Sequence, residues 1–298
     1  MEKITWKQCP LCGGEALQPL FTCKDHSASG ETFPLQRCSA CGFTFTQGIP
    51  DESEIGPYYD FPEYVSHSDT SKGIVFKLYH AARSLMLRSK RRTVCQAAGR
   101  TSGRLLDYGA GTGYFAHAMQ RGGWQVTAVE KSESARAFGQ QHFGLGMKPE
   151  DDFYRMAPDQ FDAVTLWHVM EHVQPLDRLW TRLSEVLTSR GTLIVAVPNA
   201  VSADALYYKE MWAAWDVPRH LWHFTPDTME AWGAKHGFRL EAVKTMPLDA
   251  FYISMLSEEH QGSQGKFIKG MWRGFVCLLR TIGRKEACSS LIYVFKKG

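Results

Sequence analysis

The stretch Arg104-Leu-Leu-Asp107-Tyr-Gly109-Ala-Gly111-Thr-Gly113 decides the fold. Its first half is a short apolar strand, and its glycines then recur at every second position. A helix is expected from Tyr114 to Arg121. Glycine lets the chain turn sharply and lets a ligand approach the backbone closely. The helix start that follows leaves N–H groups unsatisfied. Moving outward, Val126-Thr-Ala-Val129-Glu130 is a second strand ending on an acid, and Ser132 is a plausible N-cap for the helix after it. Leu145 to Lys148 reads as a weak third strand. Phe161 to Trp167 and Thr192 to Val197 are further strands, with a helix from Pro175 to Leu187 between them. Strands alternating with helices imply an α/β domain with a parallel sheet covered on both faces.

The details of the loop discriminate between ligands. An acid at the end of the second strand, Glu130, suits ribose hydroxyls, so an adenosine-containing ligand is expected at the carboxyl edge of the sheet. A dinucleotide loop has the spacing Gly-x-Gly-x-x-Gly, with pyrophosphate on the helix. Here the spacing is Gly-x-Gly-x-Gly, and Asp107 stands two residues before the first glycine. A carboxylate there repels pyrophosphate and suits an ammonium or sulfonium charge. This disfavours a nicotinamide-dependent oxidoreductase and favours S-adenosylmethionine as cofactor.

These residues resemble the class I S-adenosylmethionine-dependent methyltransferases. Phe161-Asp-Ala-Val-Thr-Leu-Trp167-His168-Val-Met-Glu171-His172-Val resembles their fourth strand and the turn after it. Asp216-Val-Pro-Arg219-His220-Leu-Trp222-His223-Phe-Thr225 resembles a segment of one methyltransferase branch. The resemblance implies a Rossmann-like seven-stranded sheet whose last, antiparallel strand is 290–296. It implies that Gly109, Gly111 and Gly113 line the methionine part of the cofactor, with Tyr108, Ala110 and Tyr114 beside them. Asp107 would orient the loop or bind the ammonium through water. Glu130 would hold the ribose, Asp152 would face the adenine, and Trp167 and His168 would border cofactor and substrate. Tyr59 and Tyr64 would close over the cofactor as a lid. His168-Val-Met-Glu171-His172 also spells a zinc-protease motif, but a strand end offers no helix to present both histidines to a metal.

His220 and His223 are the candidate general bases, with His168 beside them. A hydroxyl acceptor must lose its proton as the methyl arrives, and histidine titrates in the right range. They lie in a Trp-rich insertion, about residues 199–225, expected to roof the substrate pocket. Arg219 would hold a substrate phosphate or carboxylate. The bland alternative is that this stretch only packs the insertion against the sheet.

At the other end, Cys9-Pro-Leu-Cys12-Gly-Gly and Cys38-Ser-Ala-Cys41-Gly form two knuckles. Four thiolates at this spacing suit a closed tetrahedral site, so Cys9, Cys12, Cys38 and Cys41 are expected to hold a structural Zn2+. So short a segment lacks a core of its own, and the metal would supply stability. The expected organisation is a zinc-ribbon-like module over 1–48, an aromatic flap and linker helix over 49–100, and the methyltransferase domain over 101–298.

The chain has 298 residues, 44% apolar and 22% charged, with 34 Lys and Arg against 31 Asp and Glu. That is ordinary globular composition. A net charge of +3 does not mark a dedicated nucleic-acid binder. No apolar run reaches the roughly 18 residues of a membrane span, and the start carries no signal core. A cytoplasmic location is expected, with a small-molecule methyl acceptor as partner: a sugar, a lipid-linked intermediate or another metabolite. The alternative is a zinc-ribbon RNA- or protein-binding protein whose methyltransferase domain modifies RNA or protein or is inactive. Gly270 to Arg280 is amphipathic and basic; it is expected to cover the sheet, with peripheral membrane contact as the minority reading.

Overall fold

The computed structural model describes residues 3–59 and 74–298, and side chains within those ranges except for 74–82. Among the described residues the strands form two sheets. The first begins with β1 (Leu17–Lys24), β2 (Thr32–Cys38) and β3 (Thr44–Thr46), an antiparallel meander carrying the cysteine knuckles at its base.

The second sheet contains β4 (Gly103–Tyr108), β5 (Trp124–Val129), β6 (Phe161–Trp167), β7 (Leu187–Pro198), β9 (Phe238–Thr245) and β10 (Ser290–Lys297). Its order is β5-β4-β6-β7-β10-β9. The first four are parallel, and β10 runs antiparallel to both of its neighbours. The expected antiparallel closing strand is thus present. The expected seventh strand is reduced to a single bridge, Val129 to Lys148. Its neighbourhood explains the shortening: Gly144 turns with a φ of 66°, and Pro149, which has no N–H to give, ends the segment.

Helices cover both faces: α1 (Ile74–Ala98), α2 (Tyr114–Arg121), α3 (Glu133–Phe143), the short α4 (Glu150–Phe153), α5 (Leu176–Val186), α6 (Ala203–Tyr208), α7 (Pro226–Lys235), α8 (Asp249–His260) and α9 (Lys266–Thr281). Ser132 caps α3, its hydroxyl accepting from the Ala135 N–H. The apolar face of α5, Leu176, Leu179, Trp180, Leu183 and Val186, is buried against the sheet. Each such side chain stabilises by roughly 1.5–3 kcal/mol.

The two sheets are not independent. β8 (Trp222–His223), from the insertion after β7, pairs with β3 and becomes the fourth strand of the N-terminal sheet. Phe43 and Phe45 of the meander lie in one hydrophobic core with Trp222, Phe224, Trp232 and the strand residues Leu166 and Val195. The meander therefore borrows a core from the larger sheet instead of building one.

Candidate functional site

The glycine loop runs from β4 into α2 at the carboxyl edge of the parallel strands. Gly109, Gly111 and Gly113 all have positive φ, at 72°, 54° and 85°. Two of them are also closed to a side chain. A Cβ on Gly109 would lie 2.3 Å from Val169 Cγ2, and one on Gly113 would lie 2.9 Å from Leu145 Cδ1. At Gly111 the same position meets nothing within 4 Å, so the loop opens there. Ala110 is half-buried beside it. Glu130 sits against this opening. Its carboxylate accepts from the Gly111 N–H at 2.7 Å and the Ser132 N–H at 2.9 Å.

Asp107 lies beneath the loop, fully buried, and accepts from the Thr165 hydroxyl at 2.8 Å. Burial pushes its carboxyl up to about 7, against the opposing pull of Thr165 and Lys90. Tyr108 points the other way: its ring packs on Phe153, and its hydroxyl donates to Glu150 at 2.5 Å. Tyr114 packs edge-on to Phe143 and carries the Arg83 guanidinium over its ring at 3.9 Å. Asp152 is half-buried in the first turn of α4.

The turn after β6 collects polar groups. His168 adopts φ 58°, a left-handed conformation that is costly away from glycine. The strain is held by two carboxylates: Asp249 at 3.1 Å from Nε2 and Glu171 at 3.4 Å from Nδ1. Burial alone would depress this imidazole, but Asp249 and Glu171 push it up to about 9. Glu171 is buried, and neither oxygen has a well-formed hydrogen bond. Burial works against its charge, yet His168, His172 and His220 together hold its carboxyl below the usual range. Residues Met170–His172 form a single 3-10 turn, so the protease spelling has no helix behind it.

His220 arrives from the insertion and completes the cluster. Donor atoms of Glu171, His172 and His220 all lie within 4.8 Å of one another. The His220 Nδ1 is 2.8 Å from the Ala214 carbonyl, which can only accept, so Nδ1 carries a proton and, in the neutral imidazole, Nε2 presents the lone pair. His172 is fixed likewise, its Nδ1 donating to the Arg219 carbonyl at 3.1 Å. Burial and then the neighbouring His220 push His172 down to about 4. Tyr59 brings its hydroxyl to 3.2 Å from the same Nδ1, while Tyr64 lies outside the described residues.

His223 and Arg219 face elsewhere. His223 is buried in the joined sheet with Nε2 at 2.9 Å from the Thr46 hydroxyl. Burial, then His220, holds it well below the usual histidine range. The Arg219 guanidinium is 2% exposed and is engaged by Asp25, Asp216 and the Tyr58 carbonyl. It ties the β1–β2 turn to the insertion.

Two residues of this edge escape sequence reading. Asp249 begins α8, and no local motif signals its role. Lys90 belongs to a basic run that reads as a solvated helix face. Its ammonium instead lies 4.6 Å from the centre of the half-buried Trp167 ring. Burial lowers its pKa, opposed by Asp107 and Asp249.

The four knuckle cysteines converge. Their sulfurs lie within 4.8 Å of one another, with Cys9 to Cys41 at 3.5 Å and Cys12 to Cys38 at 3.6 Å. A tetrahedron with metal–sulfur bonds of ~2.3 Å has an edge of ~3.8 Å, so the donor set fits zinc. Gly14 leaves room beside them, since a Cβ there would stand 3.3 Å from the Cys12 sulfur.

A three-glycine loop, an acid at the end of the next strand and a polar turn at the end of the fourth, all on one sheet edge, define a class I S-adenosylmethionine-dependent methyltransferase. The family described as "Methyltransferase domain" matches residues 79–243, more than half of the chain, and the chain belongs to it. Among curated proteins it is similar to ubiquinone biosynthesis O-methyltransferases. The Caulobacter sp. (strain K31) protein is 32% identical over 103 residues, 32% of this chain and 41% of that one. The Bordetella pertussis protein is 34% identical over 107 residues, covering 33% and 42%. The chain thus spans about two fifths of the length of these relatives.

Among solved structures it resembles a candidate sarcosine dimethylglycine methyltransferase from Galdieria sulphuraria, with TM-score 0.51, 14% identity and coverage of 72% and 86%. It also resembles geranyl diphosphate C-methyltransferase from Streptomyces coelicolor A3(2), with TM-score 0.50, 14% identity and coverage of 78% and 88%. Both likenesses concern the fold.

Proposed function

We propose that this methyltransferase acts on a hydroxyl of a small-molecule acceptor, with His220 as the general base. The observation that carries this reading is the His220 Nε2 lone pair, held by the Ala214 carbonyl within reach of Glu171 and His172 at the end of β6. The named activity of the curated relatives, O-methylation in ubiquinone biosynthesis, supports oxygen as the acceptor atom.

S-adenosylmethionine supplies a methyl group already activated by its sulfonium. The open side of Gly111 and the Glu130 carboxylate suit its ribose and methionine parts. Gly109, Ala110 and Gly113 shape that loop, Asp107 braces it from below through Thr165, and Lys90 over Trp167 offers a cation for a carboxylate. Tyr108 and Tyr114 support the loop by packing. His168, paired with Asp249, fixes the turn, and Tyr59 bridges from the flap to His172. Positioning supplies much of the rate in such a transfer, and His220 removes the proton as the new bond forms.

In the same reading residues 1–48 are a ribbon module with structural zinc on Cys9, Cys12, Cys38 and Cys41. Residues 49–100 are flap and linker helix, and 101–298 form the catalytic domain.

Calorimetric titration with S-adenosylhomocysteine, with NAD as control, tests the cofactor half. Screening phenol- and sugar-type hydroxyl acceptors, with a chelator arm because Glu171, His172 and His220 are also spaced for a cation, tests the rest. Turnover that is unchanged in His220→Ala would sink the base assignment. Turnover lost to chelator while folding and cofactor binding persist would move the chemistry to a metal.

A further inference from the structure

Helix α9 wears its hydrophobic face outward. At 3.6 residues per turn, Phe267, Ile268, Met271, Trp272, Phe275 and Leu279 fall on one side. All are exposed: Phe267 by 66%, Ile268 by 74% and Trp272 by 64%. The face turned toward the protein is Gly270, Gly274 and Cys277. Sterics dictate this choice. A Cβ on Gly270 would stand 2.6 Å from Met255 Cα, and one on Gly274 would stand 2.7 Å from Phe251 Cα. The glycines let α9 lie backbone to backbone against α8, which leaves its bulky side chains no route inward. The helix packs on α8 rather than covering the sheet with its apolar side.

Charge identifies the occupant. A third stripe carries Lys269, Arg273 and Arg280, with Arg284 and Lys285 just beyond the helix, while Lys266 is paired with Glu259. No acid occurs between Glu259 and Glu286. A second copy of this chain packed face to face would bring these cations together, which is repulsive. An anionic bilayer would complement them, because basic residues near such a surface are attracted to its headgroups. The helix spans only about 24 Å, and among the described residues no helix is long and apolar enough to cross a membrane. Aromatic anchors beside basic residues suit a helix lying in the interface plane.

We infer that α9 docks the protein on the surface of an anionic lipid bilayer, with Phe267, Ile268 and Trp272 inserted and the basic stripe at the headgroups. This does not rest on the acceptor assigned above. The antiparallel α8, however, begins at Asp249, the partner of His168, so the docked face adjoins the site.

The test is co-sedimentation of the full chain with phosphatidylcholine vesicles, with and without phosphatidylglycerol. Binding to the anionic vesicles is expected, weakening as salt rises. Ile268→Glu and Trp272→Glu are each expected to lower the partition coefficient by about tenfold or more. Both positions are exposed, and unchanged S-adenosylhomocysteine binding serves as the folding control. Three outcomes would overturn the inference: no binding to anionic vesicles, equal binding by the glutamate variants, or a lipid-free dimer that those variants dissolve.

Discussion

Arg219 and Asp25 form an ion pair at 3.1 Å, both side chains almost fully buried. Asp25 heads the turn between β1 and β2, where it also accepts from Ser27 and Ser29. Arg219 directly precedes His220, and its carbonyl orients His172. The pair therefore joins the cysteine-bearing sheet to the candidate catalytic histidines. Burial works against the Asp25 carboxyl, but the Ser29 N–H and Arg219 hold it below its ordinary range. Breaking a buried pair from one side is strongly destabilising. Asp25→Ala is expected to cost about 3 kcal/mol, read from denaturant midpoints. It should lower kcat more than cofactor affinity, since the glycine loop lies elsewhere. Undiminished stability would refute this role.

Zinc on Cys9, Cys12, Cys38 and Cys41 would act through the same connection. Purified protein is expected to hold about one zinc per chain, as a closed four-thiolate site does. Chelation should loosen β1–β3 and with them the β3–β8 pairing, so turnover falls while S-adenosylhomocysteine still binds. Metal analysis with calorimetry before and after chelation checks both halves. Metal-free protein with full turnover would contradict the link.

The Glu130 carboxylate accepts two backbone N–H groups and still faces the open side of the loop. Glu130→Ala removes the loop tie and, in the proposed reading, the ribose acceptor. It should weaken S-adenosylhomocysteine by at least about tenfold, the loss of a charge-assisted hydrogen bond. Glu130→Gln should recover part of this. Calorimetric affinities indistinguishable from the parent would remove Glu130 from the site.

The catalytic-domain fold was legible because β4 through β7 are apolar runs and because glycine spacing is local information. The meander was not. Pro19 and Pro34 interrupt its strands, a register shift falls between Pro19 and Phe21, and β1 is mostly exposed, so the short alternation of β2 stands alone. The joining strand β8 is two residues long, and its partner lies some 180 residues away, beyond any sequence pattern. Within the site the same limit applies. His220 and His223 share one motif, and only the β3–β8 pairing turns one toward Glu171 and buries the other. Arg219 reads as a substrate ligand from sequence because its partner Asp25 is remote along the chain. Asp249 and Lys90 act through tertiary contacts with no local signal.

That divergence makes the two histidines separable. His220→Ala should cut kcat by about 10²- to 10⁴-fold, the usual worth of a general base, with cofactor affinity intact. His223→Ala should act mainly on stability, because it removes the ring that bonds Thr46 inside the joined sheet. Steady-state kinetics beside thermal melts distinguishes them. Equal kinetic damage with equal melting loss would show that both are only structural.

The His168–Asp249 pair gives stability a pH signature. His168 is raised to about 9 in the folded chain, against about 6.5 unfolded. A raised histidine contributes stability fully below its unfolded pKa and loses it as pH rises through the folded value. Asp249 is lowered: burial opposes its charge, but the His168 contact prevails. Its contribution is present above about 3.9 and fades as pH falls through the lower folded value. The advantage of the parent over Asp249→Asn should therefore be greatest between about pH 4 and 6.5, shrink from there to about pH 9, and above it fall to what the Ser290 and Lys90 contacts of Asp249 retain. Denaturant midpoints of both proteins at about pH 6 and pH 10 measure this directly. An advantage of the same size at both would mean that the turn is held by packing, with no charged pair behind it.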